Sequence, residues 1–308
     1  MSDPRRQTPR QSELEPSTPK VSLSQQIARP VPSVQARLTT SLSAFPWWVL
    51  FIALSGVLLA YNFTVDATYK EIIRVISAGI GLTVTVTLIA YSISIVLGLM
   101  TALGQLSPNV LFRNAAMLYV QIIRGVPIIV QIFYVALVLI PVFAIPAING
   151  VGDLLAGWRV LAAENALSML TNRQVGFAIR GIAALAIAYG AFSSEIFRAG
   201  IQSIERGQID AALAVGLSKF QAFRLVIFPQ AVRRVLPPLG NDFIAMLKES
   251  SLVSVLGVDE ITLLGRKHAS ASFRFAETYN TLAFLYLSMT LLLSLGVSIM
   301  EKRLKTTE

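Results

Sequence analysis

The sequence contains no cysteine. A disulfide framework, an iron–sulfur centre and a thiolate zinc site are therefore excluded. It contains one histidine, His268, so no histidine-based metal cluster can form within one chain. Charge is also scarce, at 14% of 308 residues, where an ordinary soluble chain carries about 25%. No small-residue cleavage site follows the first apolar run, which argues against a secretory signal peptide.

What is present is apolar. Hydrophobic residues make up 54% of the chain, and the mean hydropathy is +0.65. The few charges are gathered, leaving apolar windows of about 20 residues, the length that crosses a bilayer. The chain reads as an all-α integral membrane protein of about six transmembrane helices. A net charge of +9 suggests nucleic acid at first sight, but topology supplies a simpler source.

Residues 1–44 are rich in Pro, Ser, Thr, Gln and Arg and show no apolar period. Such a stretch buries too little surface to offset its ordering entropy, so a disordered tail is expected. An N-terminal helix follows at about 45–63, with Trp47, Trp48 and Tyr61 at its ends as interface aromatics. The remaining spans fall at about 76–104, 115–140, 176–200, 235–257 and 278–300, so that 76–300 forms the main transmembrane domain. Residues 301–308 form a charged tail. The Thr83-Val84-Thr85-Val86-Thr87 run alternates like a strand, but an open strand edge cannot face lipid.

The third span holds Gln121, Arg124, Gly125, Pro127 and Gln131. Offsets of three and seven place Gln121, Arg124 and Gln131 on one helix face, directed to the bundle interior or a watery path. A structural arginine bonded to carbonyls is the alternative. The link 141–175 carries Pro141 and Pro146. Leu154, Trp158 and Leu161 there fit one face of a short surface helix. The segment 259–277 reads as a loop of balanced charge.

Lys and Arg counts give the orientation. The N-terminal tail, 105–115, 198–234 and 301–308 hold 16 basic and 7 acidic residues. The other side, 64–77, 141–175 and 259–277, holds 7 of each. The whole net charge thus lies on one face, which places both termini in the cytoplasm.

That face includes a stretch too polar to cross the bilayer, 201–230. It reads as two short amphipathic helices joined at Gly216, where a helix ends in the left-handed conformation. Ser218 and Gln221 make a capping-box pattern for the second helix, and Pro229 ends it. A plain loop lying on lipid headgroups is one reading. The apolar content and the glycine–proline spacing favour a rigid dock for a soluble partner.

The same stretch carries a resemblance. Asp210-Ala211-Ala212, then Gly216, then Val226, Phe228 and Pro229 resemble the E-A-A, three residues, G, nine residues, I-x-L-P loop of importer-type ABC transporter permeases. Asp210 stands for Glu, Val226 for Ile and Phe228 for Leu; the spacing is kept throughout. The blocks at about 120–132 and 190–260 resemble the polar amino-acid uptake branch. The family core usually has five helices, so the helix at 45–63 would be an addition.

The resemblance implies a permease subunit in a bacterial inner membrane that moves a polar amino acid. It is a transport subunit and not an enzyme. The hairpin would be the coupling helix, with Asp210, Ala211, Ala212, Gly216, Val226, Phe228 and Pro229 forming the dock for cytoplasmic ATPase subunits. The chain has no G-x-x-x-x-G-K-[ST] phosphate loop, so ATP and Mg would sit on that partner and no cofactor on this chain. A second permease chain and an extracytoplasmic solute-binding protein are the other implied partners; nucleic acid is not one.

For the substrate path, Arg124, Gln131, Glu195, Asn241 and Lys248 are candidates, because a zwitterion needs both a cation and an acceptor. These charges could instead pair between helices and never meet ligand. Two rivals stand beside this reading. One is an ion-coupled secondary transporter with Asp242 or Glu249 as its carboxylate. The other is a membrane scaffold without transport.

Overall fold

The computed structural model describes residues 47–158, 167 and 169–305. The expected tail over 1–44, Leu161 and the last three residues lie outside them. The chain divides into one unit up to Leu54 and a second from Ser55 onward. Among the described residues every regular element is helical.

In chain order these are α1 (Trp47–Val65), α2 (Ala67–Ser77), α3 (Ile80–Gln105), α4 (Val110–Gly125), α5 (Ile128–Tyr134), a π-helical stretch (Val135–Ala144) and α6 (Ile145–Gly157). Then come α7 (Phe177–Gln202), α8 (Arg206–Ala214), α9 (Lys219–Ala222), a π turn (Phe223–Ile227) and α10 (Phe228–Glu249). A 3₁₀ stretch (Ser250–Leu256), α11 (Ile261–Ser272) and α12 (Phe275–Lys305) complete the chain. Among the described residues, four helical stretches are long and apolar enough to cross a membrane: Ala67–Gln105, Ile128–Gly157, Phe177–Gln202 and Phe275–Leu304. Leu50–Val65 is a shorter apolar helix. α10 has 22 residues but carries Arg233, Arg234, Asp242, Lys248 and Glu249.

The core centres on α3 and α7, whose small residues let the backbones approach. A Cβ added to Gly98 would stand 2.8 Å from Ser193 Cβ and 3.0 Å from the Ser194 nitrogen. Around this seam pack Val86, Ala90, Tyr91, Ile132, Ala136, Leu185, Tyr189, Met246 and Val253. The Tyr91 hydroxyl donates to the Leu239 carbonyl, tying α3 to α10.

Four expectations are corrected. The third span does not run unbroken over 115–140: Val126 is extended (φ −111°, ψ 135°), and α5 starts after Pro127. Gln121 and Arg124 therefore share a face of α4, while Gln131 sits on another helix. Second, Pro141 does not begin a link, because the helix runs through it to Gly157. An i→i+5 ladder would pair the Ala136 carbonyl with residue 141, which has no N–H. Arg180 donates to that carbonyl instead, at 2.9 Å. It also donates to Val175 and Asn172 carbonyls, at 2.9 and 2.7 Å.

Third, 259–277 is largely helix, not loop, and so is most of 64–77. Charge alone hid their amphipathicity: Ile72, Ile76 and Ile261 are fully buried with Leu282 and Leu285 of α12. Fourth, Pro229 does not end the hairpin's second helix. The Phe228 N–H bonds the Phe223 carbonyl in i→i+5 register, and α10 resumes with Pro229 in its first turn. A missing N–H there breaks no helical bond. Pro237 and Pro238 likewise lie inside α10, which begins at Phe228 rather than at about residue 235.

Candidate coupling hairpin and membrane clefts

The hairpin is built as its residue types dictate. α8 closes when Gly216 takes φ +88°, and nothing lies within 4 Å of a Cβ placed there. Its N–H bonds the Leu213 carbonyl, and the Leu217 N–H bonds that of Ala212. The Ser218 side chain then accepts from the Gln221 N–H while Gln221 accepts from the Ser218 N–H, a complete capping box. Both halves of the turn are thus fixed by local bonds.

The hairpin is also tied to the helices on either side. Gln230 of α10 donates to Gln208 of α8. Arg234 donates to the Ser203 carbonyl at the end of α7. Ala212, Ala222 and Ile204 are buried inside the elbow. The outer surface is the reverse: Val215 is 78% exposed, Phe220 71% and Leu225 61%, with Phe228 also exposed. An apolar face held rigid and uncovered is a docking feature rather than a core. Asp210 stays exposed at the same end.

The five polar residues marked for a substrate path separate into different places. Arg124 and Glu195 line one cleft of about 620 Å³ with Gln105, Gln121, Arg198 and Gln202. Glu195 there pairs with Arg198 at 2.5 Å and more loosely with Arg124 at 3.9 Å. Arg198 lies three residues after Glu195, so the pair shares one face of α7. Gln131 takes a different part. Its amide donates to the Ile123 and Val126 carbonyls, both at 2.6 Å. These are groups that the end of α4 leaves without helical donors.

Lys248 lines a second cleft, of about 420 Å³, with Pro127, Ile128, Ile129, Glu249, Ser251 and Leu252. Two helix discontinuities meet there: the α4–α5 break at Pro127 and the change from α to 3₁₀ after Glu249. Glu249 Oε2 is buried without a hydrogen-bond partner. Asn241 shares the exposed face of Lys248, while Asp242 turns inward and accepts from Ser193 at 3.0 Å. Ser193 was not among the expected residues, and Glu249 was named only as the carboxylate of an ion-coupled carrier. Their positions depend on packing between α7 and α10 that spacing alone does not reveal. Among the described residues no acidic or histidine group could hold a metal ion.

Comparison with known proteins agrees with this geometry. Residues 94–306 match the family described as the binding-protein-dependent transport system inner membrane component. A probable amino-acid permease protein of Bacillus subtilis, YxeN, is 32% identical over 72% of this chain and 87% of its own length. The glutamine transport system permease protein GlnP of Escherichia coli is 30% identical over 74% and 91%. A crystal structure described as an amino acid ABC transporter with histidines aligns with a TM-score of 0.62 at 32% identity, covering 78% of this chain and 98% of that one. A methionine ABC transporter, at 16% identity and a TM-score of 0.56, shares the fold.

Proposed function

Because the chain belongs to the inner-membrane components of binding-protein-dependent transport systems, we propose that it is the permease subunit of an ATP-driven amino-acid importer. The observation that carries this reading is the hairpin: a capped, glycine-bent elbow with uncovered apolar side chains, bonded to α10, which in turn is bonded to the end of α7. Asp210, Ala211, Ala212, Gly216, Val226, Phe228 and Pro229 form the surface that receives a separate ATPase subunit. Movement of that subunit then reaches two membrane helices at once, through Gln208–Gln230 and Ser203–Arg234. ATP and Mg are held by the ATPase. The net positive charge of one face supports a cytoplasmic position for the hairpin and both termini at a bacterial inner membrane.

The substrate path runs by way of the cleft at the two helix breaks. Lys248 offers a cation to a substrate carboxylate and Glu249 an acceptor to its ammonium. Broken helices frame midplane sites in membrane transporters because they leave backbone groups for ligands. The Arg124–Glu195–Arg198 cleft lies further along the path. A second permease chain closes the translocation route, and a solute-binding protein delivers substrate from outside.

Reconstitution tests the whole reading. Vesicles containing this chain, its ATPase and its solute-binding protein should take up amino acid only with ATP inside the ATPase compartment, and an uncoupler should leave uptake intact. Uptake that persists without the ATPase and collapses with an uncoupler would instead make this an ion-coupled carrier. Absence of any uptake with all partners present would favour a scaffold.

A further inference from the structure

We propose that Phe273, at the end of α11, is an anchor by which this chain holds the solute-binding protein, its ring entering an apolar pocket on that partner. Phe273 takes φ +59° and ψ +15°, the left-handed region. Among the described residues it is the only non-glycine residue with a positive φ. A glycine would close α11 here without strain, because it has no Cβ to crowd the backbone. A phenylalanine is strained, and strain of this kind collects where a side chain has a task.

The ring finds little cover in its own chain. It is 80% exposed, and among the described residues no large apolar side chain is more so. Its stem is nonetheless fixed. The Phe273 N–H donates to the carbonyl of Ala269 at 2.9 Å, and Ala269 is fully buried. The next residue, Arg274, donates from its N–H to Ser272 Oγ at 3.4 Å and from its guanidinium to Thr68 Oγ1 of α2. Ile261 and Leu263 seat α11 in the core, and a Cβ on Gly265 would stand 2.6 Å from Leu282 of α12. Ser270 and Arg274 are exposed on either side in the sequence. An aromatic ring held on a fixed stem with polar neighbours has the make-up of a binding hot spot.

Placement selects the partner. α10 leaves the hairpin at Phe228, and its 22 residues carry the chain about 33 Å along the axis, enough to cross the hydrocarbon core. α11 follows that crossing, so Phe273 and the hairpin lie on opposite sides of the membrane. The hairpin faces the ATPase. An inner-membrane component of a binding-protein-dependent system meets its binding protein on the other side. A bilayer is the weaker occupant, because a ring sinks into lipid from any backbone conformation and needs no strained one. Trp and Tyr are also the usual residues of that border. The partner exists only if the chain is an importer permease, so the anchor rests on that proposed function.

The test is the affinity of the permease–ATPase complex, in nanodiscs, for the solute-binding protein that supports uptake in the reconstituted vesicles. Phe273→Gly should weaken binding about thirtyfold, the loss of a hot-spot aromatic. The same variant should raise the melting temperature by about 2–4 °C, since it relieves strain and removes little packing. Phe273→Trp, read as the difference from a parent with three tryptophans, should emit equally with and without brominated phosphatidylcholine in the nanodisc. Unchanged affinity in Phe273→Gly, beside a wild type that binds, would overturn the anchor and leave the importer function standing. A joint fall in affinity and melting temperature would make Phe273 a structural residue and defeat the anchor as well. Quenching of the introduced tryptophan by the brominated lipid would put the ring in the bilayer, with the same result. If no solute-binding protein supports uptake, the importer function fails and the anchor with it.

Discussion

Arg234, in the second turn of α10, donates a hydrogen bond to the carbonyl of Ser203, the residue that ends α7. One side chain thereby joins the helix entering the hairpin to the helix leaving it. A Cβ on Gly200 would stand 2.1 Å from Val235 Cγ1, so the two helices already touch at this level. The hairpin is therefore held as part of a lever and does not swing as a free loop.

Removing that bond should loosen the lever. A charge-assisted hydrogen bond contributes about 1.5–3 kcal/mol. Arg234→Ala should leave the chain in the membrane and the ATPase bound but lower the amino acid moved per ATP hydrolysed. Arg234→Lys should restore part of the ratio, because it keeps a donor. Measuring uptake and phosphate release in the same vesicles checks this. An unchanged ratio in the alanine variant would show that the bond transmits nothing.

Gly216 sits at φ +88° in open space. A side chain there meets no atom, so the cost is purely conformational, about 1–2 kcal/mol. Gly216→Val should distort the elbow and depress coupled uptake while the protein still inserts. Gly216→Asn should be nearly silent, since Asn tolerates the left-handed region. If both variants transport equally well, the elbow's shape does not matter for coupling.

Gln131 holds the α4–α5 break by donating twice to carbonyls at the end of α4. Gln131→Leu and Gln131→Glu both remove the donors, the second with hardly any change in size. Each buried carbonyl left without a donor costs about 1–3 kcal/mol. Both variants should melt several degrees below the wild type in a thermal-shift assay in detergent. A melting point matching the wild type in both would show that another donor replaces the amide.

Glu260 caps α11 by accepting from the Leu263 N–H at 2.9 Å, and Tyr286 donates to its other oxygen at 3.1 Å. Burial pushes its carboxyl above the ordinary 4.5, with the hydrogen bonds opposing. A carboxyl raised on folding contributes stability that is complete below its unfolded pKa and is lost as pH rises through its folded value. The wild type should therefore lose melting temperature relative to Glu260→Gln as pH rises from about 4 toward neutrality. A difference that stays flat across that range would contradict the assignment.

Much of this protein was legible from residue types. Scarce charge and long apolar runs require helices in a membrane, because no other open structure satisfies backbone polar groups in lipid. The hairpin was equally legible: Gly216, Ser218 and Gln221 act on their own neighbours, and local chemistry needs no tertiary context.

Tertiary structure decided the rest. Pro127 breaks its helix while Pro141, Pro229, Pro237 and Pro238 do not, and nothing in the dipeptides themselves distinguishes them. The difference lies in what reaches the carbonyls that proline leaves behind. Gln131 caps a true break, Arg180 supplies the Ala136 carbonyl from α7, and a π turn delivers Pro229 to a first-turn position. The substrate candidates scattered for the same reason. Arg124 faces Glu195 of α7, and Lys248 lines a cleft with the distant α4–α5 break, so chain spacing could mark them as unusual but could not say which share a cleft. Local bonds made the coupling element readable in the sequence, and long-range packing alone assembled the clefts.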